Sequence, residues 1–246
     1  MRSNGLLSGI IFAWDVVATL PRLPQLLQTR EPEAMTRLFA TVLAGTLVAV
    51  GYALPQAVAY LEYCTGSNTR PWCSSLPPSI YGFVQAHYWN VGFLRYWTLN
   101  NLPLFLLAAP MIYIMVATAI PAIFQAEELS SVVTGLGTED QKARAKTDPN
   151  ASREEKVFRH VLPRFALPQL VLVGLAATSF HVQIVNRISS GYPVWYMMLA
   201  VWICSGGDKQ REDVLGLARR PEWVVRAMAI YAIVQAGLYA AFMPPA

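Results

Sequence analysis

Long apolar segments separated by polar connections constrain the fold of this chain more than any other feature of its sequence. Several of them approach the roughly 20 apolar residues that are needed to cross a bilayer. A lipid interior offers no water to open backbone groups, so such segments are predicted to be helices. The predicted fold class is all-α, a polytopic transmembrane protein of about six helices that form a single domain over residues 1–246. The segments are residues 5–20, 38–60, 102–124, 165–185, 188–205 and 224–243.

Composition supports this class and excludes others. Hydrophobic residues make up 54% of the chain and charged residues 14%, whereas soluble domains carry about 25% charged residues. The net charge of +4 does not indicate nucleic-acid binding, because the basic residues form no stripe with interleaved stacking residues. Pro55, Pro110 and Pro168 lie in or near the apolar segments and are expected to kink them.

The distribution of Lys and Arg predicts the orientation in the membrane. The connections after the first, third and fifth segments hold three, seven and five of these residues, where the last count includes Arg226 at the start of the sixth segment, against four in the rest of the chain. The positive-inside rule therefore places those connections in the cytoplasm. Residues 61–101 are predicted to form a luminal loop with an interfacial helix. Residues 125–162 are predicted to be a cytoplasmic, partly disordered link, because they mix both signs of charge and hold few bulky apolar residues.

Two of the three cysteines flank a polar loop of the predicted luminal region. Cys64 and Cys73 are nine residues apart, a separation that permits a disulfide in an oxidising compartment. Two unrelated free thiols remain the alternative. No metal site is predicted, because two cysteines and a distant histidine do not supply the usual four ligands of zinc.

An aromatic and polar stretch, HYWNVGFLRYW at residues 87–97, precedes the third apolar segment. At helical spacing, Trp89, Phe93 and Trp97 would form one stripe, which is typical of an aromatic belt at the membrane interface. The polar residues beside it also suit a sugar phosphate, because amides bind hydroxyls and arginine binds phosphate as a fork. The candidate substrate-binding residues here are Gln85, His87, Tyr88, Trp89, Asn90 and Arg95.

A second polar cluster holds His181 and Arg187, near the luminal end of the fourth segment. Ionisable groups near membrane depth are costly and therefore often functional, although a histidine at a helix end is commonly satisfied by its neighbours. No catalytic constellation can be assembled on one side of the membrane. Glu62 is the one acid in the predicted luminal loops, and Asp15 is expected to reach water from the cytoplasmic end of its helix.

Three blocks of sequence together carry a family resemblance. They are RSNGLLSG at residues 2–9, PWC followed by PPSIYGFVQAHYWNVGFLRYWTLNNLPLFLLAAP within residues 71–110, and HVQIVNRISSGYPVWY at residues 181–196. In this content and order the chain resembles the fungal GPI mannosyltransferase 2 family.

The resemblance implies a multi-spanning enzyme of the GT-C glycosyltransferase type in the endoplasmic reticulum membrane. It would transfer mannose from dolichyl-phosphate mannose to the first mannose of a GPI glycolipid precursor, in α-1,6 linkage and on the luminal side. It implies no cofactor besides this donor substrate, and a small membrane accessory subunit as a partner. His181 and Arg187 would then lie near the lipid phosphate.

The sequence departs from the family pattern at its start. In the family RSNG is internal and follows a luminal loop with the acidic catalytic residues, whereas here RSNG follows Met1 directly. The expected acid would thus lie N-terminal to this chain, and no residue is assigned as catalytic. The alternative function is a catalytically inactive truncated paralogue or fragment that binds the lipid substrate or scaffolds the mannosyltransferase complex.

Overall fold

A computed structural model describes residues 3–29, 31–66, 70–126, 129, 149–204 and 220–241. Over these residues the secondary structure is helical and contains no strand. The chain divides into two compact units, one made of Met1–Val116 with Pro163–Tyr192 and the other of Ala117–Leu162 with Pro193–Ala246.

Nine α-helices are found in the described part of the chain. They are α1 (Gly9–Thr19), α2 (Leu23–Thr29), α3 (Pro32–Cys64), α4 (Ile80–Tyr88), α5 (Leu102–Phe124), α6 (Pro149–Thr178), α7 (Ile184–Ile188), α8 (Pro193–Cys204) and α9 (Pro221–Ala241). Short 3₁₀ turns occupy Ser3–Ser8, Leu20–Arg22, Pro71–Ser74, Leu99–Asn101 and Ser189–Gly191. Pro55 lies inside α3, and Pro163 and Pro168 lie inside α6.

Five helical stretches are long and apolar enough to cross a membrane, and the chain is a multi-pass membrane protein. They cover Gly5–Thr29, Pro32–Cys64, Leu99–Phe124, Lys156–Thr178 and Pro221–Ala240. The fifth apolar segment, expected to be one helix over 188–205, forms a shorter helix in the described residues. Its described helix is α8, whose 12 residues extend about 18 Å at 1.5 Å per residue. Tyr192 is extended, with φ −106° and ψ 107°, because a residue before proline is driven out of the helical region.

In the first unit, α1 packs along α3 in an antiparallel arrangement. Two glycines allow the close approach. A Cβ at Gly45 would lie 3.3 Å from Cβ of Phe12, and one at Gly9 would lie 3.6 Å from Val48. Small residues at a helix contact let the backbones come near each other in a membrane. No residue of α3 is buried, so most of its apolar surface faces away from the packed part of this unit.

An ion pair joins α1 to α6. Nε of Arg164 lies 2.8 Å from Oδ1 of Asp15, and Nη1 of Arg164 donates a hydrogen bond to Oδ2 at 3.1 Å. The first approach lacks hydrogen-bond alignment, but the two contacts together use both oxygens of the carboxylate. Asp15 was expected simply to reach water. The structure adds a partner that was not expected, a cation on the neighbouring helix, and leaves about a quarter of the Asp15 side chain exposed.

Two side-chain amides attach α5 to α6 and to the segment that follows α6 in sequence. Nε2 of Gln169, a fully buried residue of α6, donates to the carbonyl of Met115 at 2.8 Å. Nε2 of Gln183 donates to the carbonyl of Leu104 at 2.8 Å. The order of these contacts makes α5 and the Pro163–Thr178 part of α6 antiparallel. Amide groups at a helix contact act as polar links where apolar side chains gain little from leaving lipid.

In the second unit, α8 packs against α9. Its buried residues are Val194, Trp195, Met198, Leu199 and Trp202. On α9, Nε2 of Gln235 donates to the hydroxyl of Tyr231 at 2.8 Å, which gives both polar groups a partner in an apolar helix.

The connection predicted over residues 125–162 is described only in part. Residues 131–148 lie outside the described residues, but α6 begins at Pro149, so the end of this connection is helical. Its cytoplasmic placement, and the luminal placement of residues 61–101, stay predictions.

Candidate functional site

The start of α4 is attached to α3 by a small polar cluster. Oγ of Ser79 accepts a hydrogen bond from N–H of Gly82 and so caps the helix. The same hydroxyl donates to Oε1 of Gln56, at 3.0 Å, and N–H of Tyr81 donates to this oxygen at 3.2 Å. An N-cap serine satisfies one of the backbone donors that a helix leaves open. Gln56 therefore fixes where α4 begins relative to α3.

The helix ends earlier than the aromatic spacing suggests. Tyr88 is the last residue of α4, and Asn90 has a φ of 49°, a left-handed conformation that asparagine adopts more readily than most residues. N–H of Val91 then donates to the carbonyl of Gln85 at 3.0 Å. The prediction that Trp89, Phe93 and Trp97 form one stripe of a helix is therefore wrong, because a left-handed residue stops the helix before the stripe can form.

The segment after α4, residues 89–98, docks on the C-terminal end of α6. N–H of Gly92 donates to the carbonyl of Ser179 at 3.2 Å, and N–H of Leu94 donates to that of Thr178 at 2.6 Å. A helix leaves its last carbonyls without partners, and here a loop distant in sequence supplies the donors. Leu94 has a φ of 57°, which is costly for a leucine and is held by this contact. We call residues 89–98 the docked loop.

The indole of Trp97 adds a third donor to the same helix end. Its Nε1 donates to the carbonyl of Ala177 at 2.6 Å, and its ring lies 4.5 Å from that of Phe105. Nδ2 of Asn101 donates to the carbonyl of Tyr96 at 2.9 Å. Tryptophan has an apolar body and one donor, so this residue anchors the docked loop both by packing and by a hydrogen bond.

His181 is the point at which the two predicted polar clusters meet. The ring of Tyr96 lies 4.6 Å from the imidazole and that of Trp89 lies 6.0 Å away, both in edge-to-face arrangements. Nε2 of His181 is buried and has no hydrogen-bond partner within the described part of the chain. The docked loop therefore packs against a histidine whose Nε2 is available to another group.

The electrostatic surroundings favour a neutral imidazole at this point. Burial lowers the pKa of His181, contact with the backbone of Trp89 opposes this shift, and the charge of nearby Arg187 lowers the pKa further. Burial raises the pKa of the Tyr96 hydroxyl and raises that of Tyr192 to about 12. At neutral pH both phenols are therefore protonated and can donate hydrogen bonds, but neither serves as a base.

The other candidate residues lie on α4 and the docked loop. The His87 ring stacks on that of Phe83, at 5.2 Å, and Tyr88 meets its edge at 4.9 Å. Arg95 is exposed, and its side chain folds over Gly92, where a Cβ would lie 2.7 Å from Cδ of the arginine. Of the predicted set, the structure thus brings Trp89 and Arg187 to His181. It leaves His87, Tyr88, Asn90 and Arg95 exposed and Gln85 half-buried, on α4 and the docked loop.

Sequence reasoning missed two residues of this region. Tyr96 makes the nearest ring contact with His181, and Asn186 donates from Nδ2 to Oε1 of Gln183 at 2.9 Å. The assumed helical spacing, which defined the stripe of Trp89, Phe93 and Trp97, gave no reason to place Tyr96 against His181. The pair Asn90 and Gly92 was the available signal against that assumption, since both residues are typical of helix ends and turns.

A disulfide joins Cys64, the last residue of α3, to Cys73, with Cα atoms 5.5 Å apart. It closes the turn that holds the buried Trp72 and leads toward α4. Within the described residues, no three His, Cys, Asp or Glu side chains come together as a metal site would require.

Comparison with known proteins was made over the whole chain. The family described as Mannosyltransferase (PIG-V) matches residues 1–246. A protein of Aspergillus oryzae named GPI mannosyltransferase 2 is 40% identical over 247 residues, which cover 100% of this chain and 50% of that protein. Proteins of the same name from Gibberella zeae and Saccharomyces cerevisiae are 41% and 28% identical, again over 100% of this chain and over 52% and 49% of their own lengths.

The chain thus spans about half the length of the curated relatives that it matches. No solved structure matches it. Because the family match extends from the first residue to the last, it includes every element of the region around His181. The chain belongs to the mannosyltransferase (PIG-V) family.

Proposed function

We propose that this chain takes part in GPI-anchor biosynthesis, in the transfer of mannose from dolichyl-phosphate mannose to a mannosylated GPI precursor, in α-1,6 linkage. The proposed location is the luminal face of the endoplasmic reticulum membrane, with the small accessory subunit of the fungal family as a partner. The single observation that carries the proposal is the meeting of Trp89, Tyr96 and Arg187 at His181. Aromatic, imidazole and cationic groups at one place suit a phosphorylated sugar.

The proposed reaction breaks the bond between C1 of mannose and the phosphate oxygen of the donor. A glycosidic bond forms from C1 to a hydroxyl oxygen of the acceptor, the proton of that hydroxyl passes to a base, and dolichyl phosphate leaves. The leaving phosphate gains charge, which a guanidinium stabilises by bidentate hydrogen bonds. Arg187 and Arg95 are the proposed phosphate partners, while Gln85, His87, Tyr88, Trp89 and Asn90 are proposed to face the sugars. The proposal assigns no catalytic base to this chain.

Replacing the equivalent of Arg95 with alanine in a full-length fungal relative is expected to lower mannosyl transfer by about tenfold to a hundredfold, the loss that follows removal of a charged hydrogen-bond partner. Replacing the equivalent of His87 is expected to give a smaller loss. The measurement is incorporation of a second labelled mannose into GPI precursors by microsomes. The equivalent of Arg70, exposed in the same region, is the matched control. Unchanged transfer in both variants would leave the aromatic residues as a membrane-interface belt without a substrate role.

Gly92→Ala is expected to mimic the loss of Arg95. An added Cβ would lie 2.7 Å from Cδ and 3.0 Å from Nε of Arg95, so the flexible guanidinium must move while the fold is retained. Transfer by the relative carrying this change should fall severalfold, with thermal stability unchanged. Gly82→Ala is the control, because its Cβ would make only an ordinary 3.5 Å contact with Ser79. Equal activities of the two variants would contradict the proposed position of Arg95.

The second candidate function is a chain that binds the lipid substrate or scaffolds the mannosyltransferase complex without catalysing transfer. The observation that favours it is the scarcity of acids, since Glu62 is the one carboxylate between residues 61 and 101, and acceptor activation needs a base. Expression of this chain in cells that lack GPI mannosyltransferase 2 separates the two functions. Restored GPI mannosylation supports catalysis, and failure of the expressed, membrane-inserted chain supports the second function.

A further inference from the structure

Two buried polar atoms in one short segment lack a hydrogen-bond partner within the described residues. They are Nε2 of His181 and Oδ1 of Asn186, five residues apart and on either side of the start of α7 (Ile184–Ile188). A buried polar atom without a partner costs about 1–3 kcal/mol, and native structures hold few of them. Two in one segment indicate a place where a bound group completes the hydrogen bonding.

The hydrogen bonds of the neighbouring residues determine which atom of the Asn186 amide lacks a partner. Its Nδ2 is used by Oε1 of Gln183 at 2.9 Å. Gln183 is in turn held by the carbonyl of Leu104 on α5, to which its Nε2 donates at 2.8 Å. These two hydrogen bonds orient the Asn186 amide, so its Oδ1 can accept a hydrogen bond from a bound ligand. An amide oxygen accepts hydrogen bonds and repels anions, so the missing partner is a donor such as a hydroxyl.

The surroundings of His181 agree with a neutral, hydroxylated ligand. Tyr96 and Trp89 present rings at 4.6 Å and 6.0 Å from the imidazole, and such rings cover apolar C–H surfaces. The imidazole itself is kept neutral by burial and by the charge of Arg187, so it can exchange a hydrogen bond with a hydroxyl but adds no positive charge. Trp89 is 48% exposed and is the least enclosed of these groups.

We propose that Nε2 of His181 and Oδ1 of Asn186 form a subsite for the hydroxyl groups of a hexose, with Tyr96 and Trp89 against the sugar ring. This inference rests on the proposed function for the nature of the ligand and adds Asn186 to the site as a residue that contacts the ligand. The hexose comes either from the phosphorylated donor or from the acceptor glycolipid. Arg187, beside the subsite, serves the phosphate when the donor is bound.

The test follows the His181 imidazole directly, by NMR of the full chain in nanodiscs with ¹⁵N-labelled histidine. The chain holds three histidines, and the signal that disappears in His181→Gln identifies the residue. Octyl α-mannoside is expected to shift the Nε2 resonance. Octyl tetrahydropyranyl ether, which has a ring but no free hydroxyls, is expected to leave it unchanged. Octyl phosphate, which has charge but no sugar hydroxyls, is expected to shift it less than the mannoside does, and only through the charge of Arg187. An equal shift with either of these two probes, or no shift with the mannoside, overturns the subsite.

Asn186→Ala is expected to weaken octyl mannoside binding about tenfold or more, because the ligand loses the acceptor for one hydroxyl. Asn100→Ala, an exposed asparagine of the same luminal region, is the matched control and should bind as the unchanged chain does. Equal binding by both variants overturns the role of Asn186. The hydroxyl-free probe above uses the unchanged protein, so the subsite stays testable if Asn186→Ala fails to fold.

A fourth probe, citronellyl phosphomannose, identifies the source of the hexose. Tighter binding of this probe than of octyl mannoside assigns the subsite to the donor, the reverse order assigns it to the acceptor, and either order supports a hexose subsite. The test is separable from that of the proposed function. Mannoside binding without restored GPI mannosylation in cells retains the subsite and rejects catalysis by this chain. Restored mannosylation without mannoside binding rejects the subsite alone.

Discussion

Arg164→Met is expected to lower the free energy of unfolding by about 3 kcal/mol or more. The change leaves the carboxylate of Asp15 without its cation on a helix long and apolar enough to cross the membrane. The pair is part-buried, with side-chain exposures of 30% and 25%. Removing one partner of a fully buried ion pair costs about 3–5 kcal/mol, and an unpaired aspartate in a membrane helix costs about 2.5–3.5 kcal/mol, so the expected loss lies at the lower end of the first range. SDS-induced unfolding in mixed micelles measures the change.

Replacement of both partners is expected to recover most of this loss. Asp15→Leu with Arg164→Met removes both charges, and two well-packed apolar residues often equal a buried ion pair in stability. Arg37→Met is the control, because its contact with Glu33 is 3.8 Å long and both side chains are more than 80% exposed. Such surface pairs contribute about 0–1 kcal/mol. A double variant as unstable as Arg164→Met alone would mean that Arg164 acts through packing rather than through Asp15.

Removal of the disulfide gives the second large expected effect. Changing both Cys64 and Cys73 to serine opens a loop with a sequence separation of nine and should lower stability by about 2–3 kcal/mol, from the entropy that the link removes from the unfolded chain. The disulfide constrains the connection from α3 to α4, so its removal should raise the rate of amide hydrogen exchange in α4. Exchange is measured by mass spectrometry of peptides from residues 65–98.

Cys204→Ser is the matched control for this change, because Cys204 is a free and exposed cysteine of α8. The Cys204→Ser variant should match the unchanged chain in its free energy of unfolding and in its rate of hydrogen exchange at α4. Reductant should destabilise the unchanged chain as the double serine variant does and leave that variant unaffected. Equal stability of the double serine variant and Cys204→Ser would contradict a role of the disulfide in holding this connection.

The transmembrane helices could be predicted from the sequence because they depend on the summed hydropathy of many residues. The apolar runs around residues 38–60 and 102–124 became parts of α3 and α5, since lipid permits little besides a helix over such lengths. The segment around 188–205 was not predicted correctly in length, because Pro193 interrupts it through the restricted conformation of Tyr192. The extended conformation of one residue therefore set the start of α8, although the whole run is apolar.

The site was predictable in its residue types but not in its assembly. His181 and the aromatic stretch were both visible as unusual polar and aromatic clusters. Their meeting depends on the left-handed Asn90 and on backbone donors of the docked loop that find the carbonyls of Thr178 and Ser179. Such pairings between residues more than 80 positions apart have no signature in the spacing of either segment. The partner of Asp15 was hidden for the same reason, since Arg164 lies 149 residues away.

The docked loop and the segment around His181 are proposed to form one site for a mannosyl phosphate lipid. This site is tested most directly by photolabelling the chain in nanodiscs with a citronellyl phosphomannose that carries a diazirine, and mapping the labelled peptides. We expect label in residues 85–97 and also in residues 177–187, with both removed by excess unlabelled probe. Label confined to one of these segments, or absent from both, would contradict it.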